Sequence, residues 1–421
     1  MLDIKFIRQN QEEVKKSIAD RGMNVDVDEL LGLDEKRRVF VQKIGESRAI
    51  RNKGSNTKPL PEDIDKMRIL GDKIAKTEKE SKELEVYYTE LLEKVPNMIH
   101  PDVPRGGEEN FKVLEEYGEI TKFDFGPKDH ESLMLGLDLI DFERGAKVAG
   151  NKFYFAKNDL VRLNQALLNY GIDMVTKHGY VLMETPDLAK DSILSGIGFN
   201  PRGQETQIYS IENSDLSLIG TAEITLGGYH ADEILDLSKG PKKYVAFSHC
   251  FRTEAGSYGR ESKGLYRLHQ FTKLEMFIYC KPEESESLHK EILDIEKEIV
   301  KGLKLPYRII DTASGDLGAS AYRKYDIEAW MPMKNPSTGS GHGGYGEITS
   351  TSNCTDYQAR RLGVRYRQND GDIEYVHTLN GTAVVSSRFP LAIIENYQTK
   401  EGTIKIPEVL QKYLNGLKEI K

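Results

Sequence analysis

The strongest constraint on the fold is a pair of N-terminal segments in which apolar residues recur every three or four positions. The recurring positions are Leu30, Leu33, Arg37, Phe40, Ile44, Ser47 and Arg51, followed by Met67, Leu70, Ile74, Thr77, Ser81, Leu84, Tyr88, Leu91 and Val95. This spacing predicts two long helices that share a narrow apolar seam. Residues 54–61 contain glycine and two prolines, which a helix cannot cross. We therefore expect an antiparallel coiled-coil arm over residues 28–95, about 40–50 Å long.

The charge of this arm is uneven. Residues 36–58 contain eight basic residues and one acidic residue, whereas the whole chain has a formal charge of −8. A solvated coiled-coil face usually alternates its charges, so this pattern favours the phosphate backbone of a nucleic acid as ligand, with a merely solvated helix as the alternative. The candidate contacts are Arg37, Arg38, Lys43, Arg48, Arg51 and Lys53.

A linker rich in proline and glycine follows the arm at residues 100–107. It predicts an N-terminal domain over 1–105 and a second domain over 106–421. In the second domain, helices expected at 160–178 and 285–302 are combined with strand-like runs that often follow each other directly. This order predicts an α+β fold with a mixed, mainly antiparallel sheet flanked by helices. The expected strands are 244–251, 273–279, 307–310, 327–331, 347–352 and 382–386.

Other site classes and locations are disfavoured by the sequence. The three cysteines and nine histidines show no metal-binding spacing. Residues 341–346 match the dinucleotide pattern GxGxxG, but prolines precede them and a β-favouring run follows, so a surface loop is the better interpretation. The charged N-terminus does not resemble a signal peptide, and no apolar run of about 18 residues occurs. We expect a cytoplasmic protein with no membrane partner.

The most informative stretch is 251–276, which indicates two strands joined by a polar, glycine-rich turn. Alternation would place Arg252 and Glu254 on one face of the first strand, and Arg267, His269 and Phe271 on one face of the second. Arginines beside glycines suit a polyphosphate, and an aromatic ring with a nearby carboxylate suits a nucleotide base. A hairpin with surface ion pairs is the alternative interpretation.

Here the sequence resembles a known family. Arg-Thr-Glu-Ala-Gly at 252–256 and Arg-Leu-His-Gln-Phe at 267–271 resemble motif 2 of class II aminoacyl-tRNA synthetases, in the form used by seryl-tRNA synthetases. Asn-Gly-Thr at 380–382, leading to Arg388 and Asn-Tyr-Gln at 396–398, resembles motif 3, and a weaker motif 1 surrounds Pro186. Further matches occur at 1–9, 221–223, 347–350, 352–354, 356–361 and in the arm. The chain departs from the family at Gly220, where proline is common, and in the glycine-rich segment 338–346.

The resemblance implies ATP-dependent activation of L-serine to seryl-adenylate and transfer to tRNA(Ser), and to tRNA(Sec) where it exists, by a homodimer that uses ATP and Mg²⁺. It implies catalytic roles for Arg252, Arg388 and Glu347. The implied ATP-binding residues are Arg252, Glu254, Arg267, Leu268, Phe271, Glu347, Ser350 and Arg388, of which Glu347 and Ser350 would also hold the metal. The implied serine-binding residues are Thr221, Glu223, Arg252, Glu275, Asn380 and Thr382.

Two other functions stay open at this point. A relative could make seryl-adenylate and load a carrier protein, although such relatives lack the long arm. A non-enzymatic protein could keep the fold, but it would be expected to lose the arginines at 252, 267 and 388, which are present.

Overall fold

The computed structural model describes residues 1–54, 61–199, 207–254, 265–334, 343–368 and 370–421, without the side chains of 53, 54 and 61–64. The chain forms two compact units, Met1–Met98 and Ile99–Lys421. The linker prediction placed the boundary at residue 105. Residues Ile99 and Val103 pack with Leu317 and Ala321 in a small apolar cluster, which is why this part of the linker belongs to the second unit.

The first unit is helical. Its helices are α1 (Ile4–Gln9), α2 (Gln11–Asp20), α3 (Val27–Gly54) and α4 (Pro61–Lys94). Two ion pairs join the long helices, Arg37 Nε to Glu85 Oε2 at 2.7 Å and Arg48 Nη2 to Glu78 Oε1 at 2.8 Å. Moving forward along α3 therefore means moving backward along α4, which confirms the antiparallel arm.

The predicted seam of the arm is confirmed in detail. Every seam position from Leu30 to Ser47 and from Met67 to Val95 is buried or half-buried, and Arg51 is exposed. At 1.5 Å per residue, the 28 residues of α3 and the 34 residues of α4 give lengths of about 42 and 51 Å. The predicted turn at residues 55–60 lies outside the described residues.

The second unit combines helices with strands. Its helices are α5 (His130–Gly136), α6 (Phe142–Ala149), α7 (Asn158–Thr176), α8 (Asp191–Ile197), α9 (Ala222–Gly228), α10 (Ser285–Gly302), α11 (Tyr357–Leu362), α12 (Phe389–Asn396) and α13 (Glu408–Gln411). Its strands are β1 (Lys112–Tyr117), β2 (Ile140–Asp141), β3 (Phe155–Ala156), β4 (Val181–Glu184), β5 (Leu188–Lys190), β6 (Leu216–Leu218), β7 (Ile234–Leu235), β8 (Lys242–Phe251), β9 (Gln270–Cys280), β10 (Tyr307–Asp311), β11 (Arg323–Met331), β12 (Gly344–Asn353), β13 (Arg365–Arg367), β14 (Ile373–Tyr375), β15 (His377–Val385), β16 (Ile404–Lys405) and β17 (Glu419–Ile420).

Within the part of the chain that the structure describes, the main sheet has eight strands in the order β1-β10-β11-β12-β15-β9-β8-β4. All neighbours are antiparallel except β4 and β8, which are parallel. The prediction of a mixed, mainly antiparallel sheet is confirmed, and each of the six expected strands is present, most of them longer than expected. Among the described residues, no helix is long and apolar enough to span a membrane.

Strand β9 separates two apolar cores. Leu274, Met276 and Ile278 pack into the larger core, together with residues of α7 and α10. The intervening residues Phe277 and Tyr279 pack into a second core, with residues of α8, α9 and α11. Because side chains alternate along a strand, the residues that precede Phe277 on this second face are placed beside the second core and form part of the cavity described next.

Candidate active site

A cavity of about 420 Å³ lies over the centre of the large sheet. All of the residues predicted to bind ATP or serine line it: Thr221, Glu223, Arg252, Glu254, Arg267, Leu268, Phe271, Glu275, Glu347, Ser350, Asn380, Thr382 and Arg388. Arg252, Arg267 and Arg388, to which the sequence resemblance assigned roles, therefore converge on one site. The role of each residue in binding a ligand stays a prediction.

Strands β9 and β15 form the floor of the cavity. Phe271, Lys273 and Glu275 alternate along β9 and face the cavity together. Thr382 of β15 pairs directly with Glu275 in the sheet register, and its hydroxyl donates a hydrogen bond to Glu275 Oε2 at 3.3 Å. Asn380 lies two residues earlier and therefore on the same face. The sheet register thus places a hydroxyl, an amide and a carboxylate side by side.

A β-bulge brings Glu347 and Ser350 to the same face of β12. Residues three apart on a regular strand point to opposite faces. In the pairing of β11 with β12, Ile327 lies opposite Thr349 and Glu328 opposite Glu347, so Ile348 is an extra residue. This insertion resets the alternation, and both Glu347 and Ser350 line the cavity.

The expected strand end at Phe251 is confirmed, but the prediction that the motif 2 residues on either side of the turn lie within the two strands was wrong. β8 ends at Phe251 and β9 begins at Gln270, so Arg252, Arg267 and His269 lie just beyond the strands. Glu254 has a φ of +53°, which a regular strand does not allow. The backbone N–H of Arg252 donates to the carbonyl of His269 at 2.9 Å, which keeps the two segments together. The turn at 255–264 lies outside the described residues.

Ion pairs hold the charged side chains of the cavity. Arg388 Nη1 lies 2.6 Å from Glu347 Oε1, and Arg267 Nη1 lies 3.3 Å from Glu254 Oε2. Burial acts to raise the pKa of Glu347, but the positive charges of Arg388 and Lys324 outweigh it and the net pKa is lowered. The carboxylate of Glu347 is therefore ionised at neutral pH.

Arg252 has a different environment. Its guanidinium carbon lies 5.2 Å from the centre of the Phe271 ring, and its Nε donates to the carbonyl of Gly220 at 3.3 Å. A Cβ added at Gly220 would meet its neighbours at ordinary van der Waals distances of 3.6–3.7 Å. Gly220 stands where the resembled family commonly has proline, and its carbonyl still makes the contact that orients Arg252.

The end of the cavity formed by β9, β15 and the start of α9 contains two carboxyl groups. Glu275 Oε2 lies 2.6 Å from Lys273 Nζ, and both side chains are almost fully buried. Glu223 follows Thr221, whose hydroxyl accepts from the Glu223 N–H at the start of α9. Burial, followed by the charge of Glu275, raises the pKa of Glu223 to about 7. This end of the cavity therefore suits a small ligand that carries a positive group.

The cavity residues that sequence reasoning missed include Lys273, Lys324 and Tyr266. Lys273 could have been found, because it lies two positions before Glu275 and so shares its face of β9. Tyr266 donates from its hydroxyl to the carbonyl of Glu347 at 3.3 Å, and its ring centre lies 5.5 Å from the Arg388 guanidinium carbon. Nothing in the local sequence signals that contact.

Comparison with family models supports the same reading of the chain. Residues 1–99 match the seryl-tRNA synthetase N-terminal domain, and residues 207–397 match the core domain of class II tRNA synthetases for G, H, P, S and T. A serine--tRNA ligase of Treponema denticola is 52% identical over 421 residues, which cover 98% of each chain. The chain belongs to the seryl-tRNA synthetases. The corresponding ligase of Dictyoglomus turgidum is 51% identical and covers 100% of the enzyme described here and 99% of its own length.

Solved structures agree with this assignment. The seryl-tRNA synthetase of Pyrococcus horikoshii, determined in complex with ATP, superposes with a TM-score of 0.89 at 39% identity, covering 100% of this synthetase and 99% of that chain. The cytoplasmic enzyme of Naegleria fowleri, determined with AMP, gives a TM-score of 0.86 at 33% identity, with the same coverage.

Proposed function

We propose that the cavity forms seryl-adenylate from ATP and L-serine, and that the enzyme transfers the serine to tRNA(Ser). The observation that carries this proposal is the convergence of Arg252, Arg267 and Arg388 on one cavity that also contains the pair Glu275–Thr382. Guanidinium groups suit phosphate oxygens, and the carboxylate–hydroxyl pair suits a small ligand with a hydroxyl group.

The reaction needs positioning and charge neutralisation more than acid–base catalysis. An oxygen of the serine carboxylate attacks the α-phosphorus of ATP and forms a new phosphorus–oxygen bond. The bond between the α-phosphorus and the bridging oxygen breaks, and pyrophosphate leaves with its electron pair. Arg252 would hold the α-phosphate and the serine carboxylate, and Arg267 and Arg388 would hold the outer phosphates. Phe271 would stack on the adenine ring, while Glu254 and the backbone near Leu268 would contact the base.

Mg²⁺ would neutralise charge on the phosphates. The side chains of the cavity could hold such an ion only together with substrate phosphates and water. Among the described residues, no three His, Cys, Asp or Glu side chains form a metal cluster. Mg²⁺ is commonly held by one or two carboxylates together with substrate phosphates and water. The ionised carboxylate of Glu347 and the hydroxyl of Ser350 supply such a partial site on one face of β12.

The serine pocket would select its substrate by a hydroxyl and by size. Glu275 and Thr382 would hydrogen-bond the serine hydroxyl with Asn380 nearby, while Glu223 and Thr221 would bind the ammonium group. Alanine lacks the hydroxyl and would leave these buried groups unpaired, a penalty that reaches about 10⁴-fold in comparable sites. Threonine would be excluded by its additional methyl group.

The N-terminal unit would bind tRNA through the basic helix α3. Arg37 and Arg48 are ion-paired with acids of α4, and Arg38 with Asp34, whereas Lys43 and Arg51 are exposed. The side chain of Lys53 lies outside the described residues. We expect Lys43 and Arg51 to contact phosphates first, and the ion-paired arginines to contribute after they exchange partners.

Three further parts of the proposal concern the oligomeric state, the cellular location and the tRNA substrates. A homodimer is supported by exposed apolar residues beside Pro186, because Val181 and Leu182 lie on the edge strand β4 and Leu188 begins β5. Sedimentation equilibrium would test it, and a monomer would refute it. We also propose a cytoplasmic location, and serylation of tRNA(Sec) where that tRNA exists.

Two assays on the purified full-length enzyme test the main proposal. Serine-dependent exchange of pyrophosphate into ATP should occur, and exchange with alanine or threonine should be far weaker. Charging of purified tRNA(Ser) with labelled serine should follow. Exchange without charging would favour a carrier-protein substrate, and absence of exchange would refute adenylate formation at this site.

A further inference from the structure

Helix α11 lies behind the amino-acid end of the cavity. Its Asp-Tyr-Gln-Ala-Arg-Arg sequence at 356–361 resembles the family, yet none of these residues lines the cavity and no step of the proposed reaction uses them. Gln358 is fully buried within this helix. A fully buried amide must find hydrogen-bond partners, so the groups that it contacts show what it does.

The contacts of Gln358 fix both ends of its amide. Nε2 donates to the carbonyl of Ile197 at 3.1 Å and to Glu223 Oε1 at 2.8 Å. Oε1 accepts from the hydroxyl of Thr378 at 2.7 Å. A carbonyl can only accept, so Ile197 requires the nitrogen on its side and the oxygen is left to Thr378. The amide consequently presents a donor, never an acceptor, to Glu223.

Glu223 receives a second donor on the same oxygen. Asn380 Nδ2 donates to Glu223 Oε1 at 2.9 Å. Oε1 is thus held by two amides, and the Glu223 side chain lines the cavity. Gln358 is thus the support that lies behind the carboxylate, whereas Asn380 reaches it from the cavity side.

The charge state of Glu223 is finely balanced. Burial and the charge of Glu275 on β9 raise its pKa to about 7, while the Gln358 hydrogen bond, Lys273 on β9 and Arg252 beyond β8 act in the opposite direction. Gln358 of α11 and Asn380 of β15 contact the Glu223 carboxylate through uncharged amides. Loss of one amide donor therefore shifts the balance toward the protonated form.

We propose that Gln358 is a positioning residue that holds the Glu223 carboxylate in the orientation and charge state that receives the ammonium group of serine. This inference rests on the proposed serine-activating function. Gln358 itself would touch neither serine nor ATP, and its effect would pass entirely through Glu223.

Replacing the amide by an apolar side chain of similar size gives a distinctive result. In Gln358→Leu, the pKa of Glu223 rises further, so that the carboxyl is largely protonated at pH 7 and binds an ammonium group poorly. The KM for serine should increase by roughly 10-fold at pH 7, the lower end of the loss expected for one hydrogen bond to a charged group. It should recover as the pH increases to about 8.5, and the KM for ATP should stay unchanged.

The test measures serine-dependent pyrophosphate exchange by the full-length enzyme between pH 6.5 and 8.5. Thr378→Val is the second variant, because it keeps the Gln358 amide but removes the hydroxyl that orients it. A smaller shift in the same direction is expected. Leu362→Val is the matched control, since Leu362 is buried in the same helix within the second apolar core. It should lower the melting temperature without changing the pH profile.

The outcomes separate this inference from the proposed function. If the unmodified enzyme shows no serine-dependent exchange, the proposed function fails. If it is active but Gln358→Leu raises the KM for serine equally at every pH, or leaves it unchanged, the positioning role is refuted. A pH shift of equal size in Leu362→Val would also refute it. If Gln358→Leu does not fold, the profile of Thr378→Val decides the question alone.

Discussion

A carboxyl group beneath the active site makes the stability of the enzyme depend on pH. Glu296 of α10 is 0% exposed, and its Oε2 accepts from the hydroxyl of Thr349 at 2.9 Å. Its Oε1 has no hydrogen-bond partner among the described residues, and a Cβ added at Gly381 would lie 2.8 Å from it. Burial, opposed by the Thr349 hydrogen bond and reinforced by Glu275 and Asp326, raises its pKa well above 4.5.

The size of the effect follows from proton linkage. The folded protein keeps the Glu296 proton to a higher pH than the unfolded chain does, so the stabilisation is complete below pH 4.5 and is lost as the pH rises toward the folded pKa. Each pH unit in this window costs about 1.4 kcal/mol of unfolding free energy. Glu296→Gln has no such proton. The unfolding free energy of the variant, relative to that of the unmodified enzyme, should therefore increase by about 1.4 kcal/mol per pH unit. A constant difference introduced by the amide does not change this slope.

The measurement is urea unfolding of both proteins at half-unit steps from pH 5 to 7, with the difference in unfolding free energy plotted against pH. All other titrating groups are shared and cancel in the difference. Asp294→Asn is the matched control, because it removes an acid from an exposed position of the same helix and should give a flat difference. A flat line for Glu296→Gln would show that Glu296 ionises normally in the folded state, and the reasoning would be wrong.

The remaining predictions concern ligands. Thr382→Val removes the hydroxyl that faces Glu275, so it should raise the KM for serine by roughly 10-fold or more. It should also reduce the preference for serine over alanine, as measured by pyrophosphate exchange with each amino acid. Arg388→Gln should lower kcat/KM for ATP by about 10²- to 10³-fold with little change in the KM for serine, and an equal change in both would contradict its phosphate role. Lys43→Gln should weaken tRNA binding and make its salt dependence shallower, while Lys79→Gln on α4 changes neither. Equal effects of the two lysines would refute a specific role for α3.

The sequence predicted best what depends on periodicity. The seam of the arm was assigned position by position, because a helix repeats its environment every three to four residues. The face shared by Phe271 and Glu275 follows equally from alternation along β9. Family motifs then identified which of these faces carries ligand-binding residues.

Departures from periodicity could not be predicted. The bulge at Ile348 decides that Glu347 and Ser350 share a face, but a bulge depends on pairing with β11 and leaves no local signal. β8 ends at Phe251 and Glu254 has a positive φ, whereas the alternating pattern would have continued the strand through both residues. Gln358 was part of a recognised motif, yet its contact with Glu223 joins positions 135 residues apart and appears only in three dimensions.

The ion pairs Arg388–Glu347 and Arg267–Glu254 have a consequence for ligand choice. Each guanidinium group already has an internal anion, so an incoming anion must compete with it and gains less than it would from a free guanidinium. A singly charged solute gains little from that exchange at either arginine. A triphosphate presents several negative oxygens to both arginines at once, so a single binding event can offset the free-energy cost of competing with both carboxylates. The carboxylates of Glu347 and Glu254 thus weaken the binding of small anions from the surrounding solution more than they weaken the binding of polyphosphates.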